Sequence, residues 1–383
     1  MMTTTQYIIT CLSPVHVGTG EMLGPFDGFA ADKRWWRMDI DRVVAGGGNP
    51  RTLAAAMRDR QFSWGGWLRR NNIRHADAAV YSITSWFDPG DLEIREAIKD
   101  VYHRPYLPGS SIKGAIRTAI LRRLLQDDEA MKQRLKEYLT AGIYDLQPPA
   151  QYAAEPLERE LLGFDPTRDL MRSLHVVDSV PADIKQLLLG ETAVYTLRNN
   201  KLVMKSGYGQ DYRQFVEWFI PGAALDVAIG VNDFLFAPAA RPALRFTEAQ
   251  ENAVRDLARC CNDFARDLLD REQAFYARHQ ASSLINDCTR LREELDRLPA
   301  GGFLLNAGWG GGWETKTAGD AVRELLTDEE FRDLRQPYEL GKSPDRYDQS
   351  YLDHYFPHSR HLAHQGGIPR SLGWMKFTPG QGT

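Results

Sequence analysis

Residues 105–125 read PYLPGSSIKGAIRTAILRRLL, an order of residue types suited to holding an anion at a helix start. After Pro108 and Gly109, Ser110 or Ser111 can N-cap a helix. Ile112, Ala115, Ile116, Ala119, Ile120 and Leu124 then make one apolar face. Lys113 and Arg117, four apart, fall on another face, near free backbone N–H groups and the positive end of the helix dipole. Phosphate is the natural occupant. From Val101 to Gln126 the chain carries Arg104, Lys113, Arg117, Arg122 and Arg123 but no Asp or Glu, so the window is locally cationic. Lys113 is followed by Gly114, not Ser or Thr, so the stretch fails the nucleotide P-loop pattern. A capped, solvated amphipathic helix explains the same residues and stands as the alternative.

A second stretch, GWGGGWETKT from Gly308 to Thr317, exposes backbone N–H groups at Gly308, Gly310, Gly311 and Gly312, and Lys316 adds a charge. Such a loop can clasp phosphates while Trp309 or Trp313 stacks on a base; the alternative is a tight turn with both tryptophans in the core. In SPVHVGTG, His16 can donate a hydrogen bond or act as a general base, and Gly18 and Gly20 shape the loop. His354, His358, His361 and His364 fall close together and invite a zinc reading, but Pro357 interrupts any helix that would align them and no acidic or cysteine partner completes a set. KSGYGQDY, with Lys205 and nearby Lys201, imitates an RNA-binding aromatic motif only in part. Asp27 and Asp32 lie in a loop region without a motif, and Asp178 in VVDS reads as a strand-end turn residue. No catalytic residue, metal site or cofactor is expected.

The elements that position these groups read as a mixed α+β alternation. Residues 7–12 form a first strand, a hairpin turns near Asp32 and Lys33, and another strand follows in ADAAVYSITSWF. Helix signals cover residues 92–101, resume at Ile112, and continue from 127 to 162 around a Pro148-Pro149 break. Strands follow, separated by turns at Asn199-Asn200 and Gly207-Tyr208-Gly209, then a long helical region from Thr247 to about Leu298. A helix at 318–334 and a last strand, SLGWMKF, complete the chain. A Pro-containing connection near 237–245 places a domain boundary between 1–240 and 241–383. With 383 residues, 43% hydrophobic content and net charge -4, the chain reads as a soluble globular protein whose nucleic-acid surface must come from local clustering. Its four scattered cysteines form no CxxC pair, which points to the cytoplasm, and neither a signal peptide nor a membrane span is read.

RPYLPGSSIKGAIRTAIL resembles the signature of the RAMP superfamily of CRISPR effector subunits. SPVHVGTGE is similar to the loop after the first strand in that family, and DLMRSLHVVDS to a later strand ending in Asp-Ser. DYRQFVEWFIPGA, the long helical segment, the Gly/Trp loop and LGWMKF together look like the subunit at the guide RNA 3′ end of type III-A (Csm) complexes. The resemblance implies tandem ferredoxin-like, RRM-related domains with helical insertions, the second domain spanning 241–383. It also implies a non-catalytic protein that binds crRNA and neighbouring RAMP backbone and small helical subunits, and recruits 3′-trimming nucleases. The RNA-contacting residues would be His16, Gly18, Arg104, Ser110, Ser111, Lys113, Arg117, Gly308, Trp309, Gly310, Gly311, Gly312, Trp313 and Lys316. A CRISPR RNA endoribonuclease and a related RAMP subunit at the 5′-tag end are the alternatives.

Overall fold

A computed structural model describes residues 2–90, 93–143, 155–207, 210–335, 337–338, 340–341 and 356–380. The strands are β1 (Met2–Cys11), β2 (Gly18–Leu23), β3 (Gly28–Ala31), β4 (Arg34–Met38), β5 (Ala79–Ser85), β6 (Ile94–Ala97), β7 (Leu174–Val176), β8 (Leu187–Arg198) and β9 (Lys201–Met204). They continue as β10 (Ser206–Gly207), β11 (Gln210–Asp211), β12 (Arg213–Phe219), β13 (Ala224–Asn232), β14 (Phe303–Asn306), β15 (Ser359–Gln365), β16 (Ile368–Arg370) and β17 (Trp374–Pro379). The mixed α+β class expected of a ferredoxin-like chain is what the structure has.

Alternation sets the first sheet. Tyr7, Ile9 and Cys11 of β1 are buried, while Gln6 before them and Ile8 between the first two face solvent. The sheet is antiparallel in the order β14-β17-β1-β13-β7. Its β17-β1-β13-β7 part reproduces the strand order of a ferredoxin-like unit, with the last strand of the chain in the fourth place and β14 added outside. Both sheets draw strands from either side of residue 240: β17 pairs with β1, and β15 pairs with β8 in the second, ten-stranded sheet.

Four short helices, α1 (Ile40–Ala45), α2 (Pro50–Ala56), α3 (Trp64–Arg70) and α4 (His75–Ala78), form a small insert built around Trp64, Trp67 and Leu68. Helix α5 (Gly109–Asp127) buries Ile112, Ile116, Ala119, Ile120 and Leu124, the face expected from the sequence. Next come α6 (Glu129–Ile143), α7 (Glu155–Leu162), α8 (Arg241–Leu244), α9 (Glu248–Arg255), α10 (Leu257–Arg278) and α11 (Ser282–Asp296). A capping box between Thr247 and Gln250 starts α9, as Thr followed three residues on by Gln dictates. The last helices are α12 (Trp313–Lys316), α13 (Gly319–Leu325) and α14 (Asp328–Arg335). Buried Arg122 of α5 bonds Asp320 of α13 and, at 2.7 Å, Asp267 of α10, joining three helices through one desolvated cation.

Two expectations change. The helix read over 92–101 is replaced by strand β6, because Ile94 pairs with Leu23 on one side and Phe215 on the other, and sheet formation overrides the local helical pattern. Neither serine caps α5: the helix begins at Gly109, and the Asp178 carboxylate, brought in from the end of β7, accepts the Gly109 N–H at 2.8 Å. The Pro148-Pro149 break and the Tyr208-Gly209 turn lie outside the described residues. At Asn199-Asn200 both residues take positive φ, 50° and 58°, as a tight hairpin between β8 and β9 requires.

Candidate nucleic-acid interface

Where β1 ends, Leu12 to Val17 is stitched to the loops that flank β14 and β17. Ser13 Oγ accepts the Trp374 N–H at 2.8 Å, Pro14 O accepts the Gly373 N–H at 2.9 Å, and His16 O accepts the Trp309 N–H at 2.7 Å. Gly308 makes this possible: its φ is +93°, and a Cβ there would sit 2.5 Å from His16 O. His16 itself is 6% exposed, with Nδ1 donating to Glu217 O at 2.6 Å. Burial pushes its pKa down to about 4, so the ring is neutral and acts as a strut beneath the loop. Gly18 is held close against that ring, a Cβ at residue 18 coming within 2.7 Å of His16 Nε2.

Glu217 anchors the strut. It is 0% exposed, accepts from Tyr81 at 2.7 Å and the Ala97 N–H at 3.0 Å, and pairs with Lys99 at 2.6 Å. One carboxylate thus ties β5, β6 and β12 together under the loop.

The loop carries the charge pattern an anion needs. The Arg95 guanidinium of β6 lies 4.9 Å from the Trp309 ring centroid, and its Nε is buried without a hydrogen-bond partner among the described residues. The His361 ring packs edge-on against Trp309 at 5.1 Å, and burial, with Arg95 and Lys316 nearby, lowers its pKa. Lys316 is exposed. Among the described residues neither Arg95 nor Lys316 has a carboxylate partner, and no backbone bond uses the N–H groups of Gly310, Gly311 or Gly312. Two cations without a carboxylate partner among the described residues, Arg95 against Trp309 and Lys316 against Gly311, together with three free amides make an arrangement that can receive a phosphate. Trp309, sandwiched by Arg95, His16 and His361, supports this receptor, while Trp313 packs against Phe356 at 5.4 Å.

The helix start stands apart. Gly109 lies against Val176 and Val177 at the β7 edge, whereas the glycine-rich loop follows β14 at the other edge of the sheet and turns back to bond His16 beyond the end of β1. Arg117 pairs with Glu158 at 2.7 Å, and Arg104 pairs with Asp100 at 2.6 Å, so both charges are largely compensated. Lys113 is half-buried, which lowers its pKa while Asp169 raises it; Ser110 is exposed and Ser111 partly so. The loop and His16 come together; Ser110, Ser111, Lys113 and Arg117 form a separate patch.

Other sequence candidates are accounted for locally. Asp27 accepts the Gly24 N–H at 2.7 Å and pairs with Arg37 at 3.1 Å, and Asp32 meets His75 at 3.3 Å. His361 and His364 are three apart on β15 and so point to opposite faces; His364 Nδ1 bonds Tyr195 Oη at 2.9 Å. His354 lies outside the described residues. Lys205 lies 5.2 Å over the Tyr212 ring. Sequence reasoning missed Arg95 because Glu93 and Glu96 flank it and cancel any local basic signal.

The RAMP superfamily profile matches residues 8–353. The chain belongs to the RAMP superfamily. Over 216 residues it is 26% identical to the CRISPR system Cms protein Csm5 of Streptococcus thermophilus, a match spanning 50% of this chain and 55% of that one, so it aligns with about half the length of that curated relative. A chain in the cryo-EM structure of a Csm-crRNA-target RNA ternary complex of a type III-A CRISPR-Cas system aligns at TM-score 0.73 and 25% identity, covering 97% of this chain and 100% of the other. The crystal structure of T.onnurineus Csm5 shares the fold at TM-score 0.64 and 23% identity, covering 96% and 99%. The fold shared with the T.onnurineus Csm5 structure therefore runs along nearly the whole chain.

Proposed function

We propose that this RAMP protein is the subunit of a type III-A CRISPR effector complex that binds the 3′ region of crRNA, supporting crRNA maturation and complex assembly in antiviral defence. The observation that carries the reading is the glycine-rich loop: free amides at Gly310–Gly312 with the unpaired cations Arg95 and Lys316 beside them. Contacts of this kind hold an RNA backbone without reading sequence, as a guide of changing sequence requires. The patch at Ser110 and Lys113 is a second phosphate contact on the same strand. Neighbouring RAMP backbone and small helical subunits supply the other partners, and nucleases that trim the 3′ end are recruited rather than built in. Burial of His16 and the engagement of Asp27 with Arg37 favour a scaffold over an endoribonuclease.

Photo-crosslinking tests this in a reconstituted effector complex, with 4-thiouridine placed singly along the guide. Crosslinks from the 3′ region to peptides containing residues 308–316 are expected. Crosslinks confined to the 5′ tag would place the subunit at the other end and overturn the assignment.

A further inference from the structure

Beneath the glycine-rich loop, between it and helix α10, lies a cavity of about 370 Å³. That volume falls within the range of small-molecule sites, roughly 300 to 1,000 Å³. The backbone of Gly310–Gly312 forms its rim, and Leu268, Trp313, Glu314, Phe356, His361 and Leu372 are among its walls. No part of the function proposed above uses it.

The chemistry changes from rim to floor. The free amides of Gly310–Gly312 stand at the rim, and the Lys316 side chain lies against Gly311 just outside it. Inside, the one strongly cationic wall group, Arg360, is neutralised by a close pair with Glu272 at 2.8 Å, so the interior offers no site for an anion. The walls are mostly apolar and aromatic, with the Trp313 and Phe356 rings 5.4 Å apart at 72°. Among its polar lining residues, two matter most for a base. Glu314 accepts from Arg271 Nε at 3.1 Å and is held toward its neutral form by burial, and the His361 ring makes no hydrogen bond among the described residues. A ligand that fits carries its negative charge outside and a flat, neutral, hydrogen-bonding group inside, which describes a nucleotide.

We propose that this cavity takes a single nucleobase, turned out of the RNA strand whose phosphates lie on the Gly310–Gly312 rim. The inference rests on the RNA-binding reading above and deepens it: the loop would hold the backbone and the cavity one base, at a fixed position along the strand. A free nucleotide shares this chemistry, and the two sources are separated by experiment.

The first arm uses the unaltered full chain and single-stranded oligoribonucleotides in which one abasic ribose is walked along the sequence. Loss of a stacked base from an aromatic site lowers affinity about tenfold. A loss of that size is expected at one position, with neighbouring positions changed less than about twofold, and a flat scan overturns the cavity proposal while leaving RNA binding intact. The second arm uses equilibrium dialysis of AMP, GMP, CMP and UMP. Saturable binding that disappears in L372W, which fills the cavity, supports the site even where the intact strand does not bind, in which case the RNA reading fails and a free nucleotide is the occupant. Absence of mononucleotide binding together with a flat scan, or with no strand binding, removes the site. Binding that survives in folded L372W puts the nucleotide elsewhere, as does a scan unchanged by that substitution; an apolar side chain from a neighbouring subunit then becomes the better occupant.

Discussion

Removing the two unpaired cations at the glycine-rich loop gives the most direct measure of whether phosphate binds there. Arg95 and Lys316 have no carboxylate partner among the described residues, so their charge is available to a strand, and R95Q/K316Q deletes both without adding a charge. For a single strand, each neutralised phosphate contributes about 0.7 to the slope of log K against log salt. Loss of two contacts therefore flattens the slope by about 1.4. Between 50 and 200 mM salt, a fourfold range, the affinity gap between native and variant chains closes by about sevenfold. Fluorescence anisotropy with a labelled oligoribonucleotide at four or five salt concentrations reads this directly, and a melting curve confirms that the variant is folded. A slope equal to the native one, with affinity lowered uniformly, would refute the phosphate role and assign these residues to packing around Trp309. The helix start supplies an internal comparison: K113A flattens the slope by at most about 0.7, whereas R117A leaves it unchanged because Arg117 already faces Glu158 at 2.7 Å.

Three further outcomes test the scaffold beneath the loop. E217Q removes the nearer counter-charge of buried Lys99, leaving Glu96 at 3.5 Å, and costs about 1 to 3 kcal/mol in a urea titration, while K99M/E217Q, which keeps an amide oxygen for Tyr81 and the Ala97 N–H, recovers most of that loss; a single-variant cost under about 0.5 kcal/mol contradicts the role assigned to the pair. His16 binds its proton near pH 6.5 when unfolded and only near 4 when folded, so the unfolded chain holds the extra proton in that window. Stability is then complete above about pH 6.5 and falls by about 3 kcal/mol toward pH 4, and H16N loses this part of the pH dependence; parallel native and variant profiles would contradict it. G308A forces a side chain to φ +93° and toward His16 O, costing about 1 to 3 kcal/mol with weaker RNA binding; retained stability and affinity would show that the loop root is not fixed as described.

Local signals made much of the architecture readable. Asp32 and Lys33 turn the β3-β4 hairpin with φ 53° and 58°, the face of α5 is the one its periodicity marks, and the Thr247-to-Leu298 helical region is present as α9, α10 and α11. Strand β6 was not readable because ILE-type apolar residues at Ile94 and Ile98 suit a helix face as well as a strand, and only pairing to β2 and β12 decides. The interface divides in the same way. The glycine-rich loop and the SPVHVG loop are visible as motifs, yet their contact depends on β17 lying beside β1, a pairing across the whole chain. Arg95 had no signal at all, since its value comes from what β6 places next to it. The separation of the helix start from the loop follows from strand order, which residue types near 110 and 310 do not encode.

That strand order also explains why the loop can serve as a rigid receptor. The chain leaves the first sheet at Asn306, forms the glycine-rich loop, contributes β15 and β16 to the second sheet, and returns at Trp374 between β14 and β1. The two ends of this excursion are tied together, Asn306 Nδ2 donating to Leu372 O at 2.8 Å and the Ala307 N–H to Gly373 O at 2.9 Å. Trp309 then packs on a small apolar cluster that includes Val216, Trp218 and Ala363 of the second sheet. The loop root is therefore held by both sheets, through His16 from one and through Trp309 and its neighbours from the other. Free amides fixed in this way lose little conformational freedom when an anion arrives, so more of the electrostatic attraction appears as affinity than a mobile loop would allow. The glycines from 310 to 312 supply donors at the tip, and the long-range pairing of the chain's first and last strands keeps those donors in place.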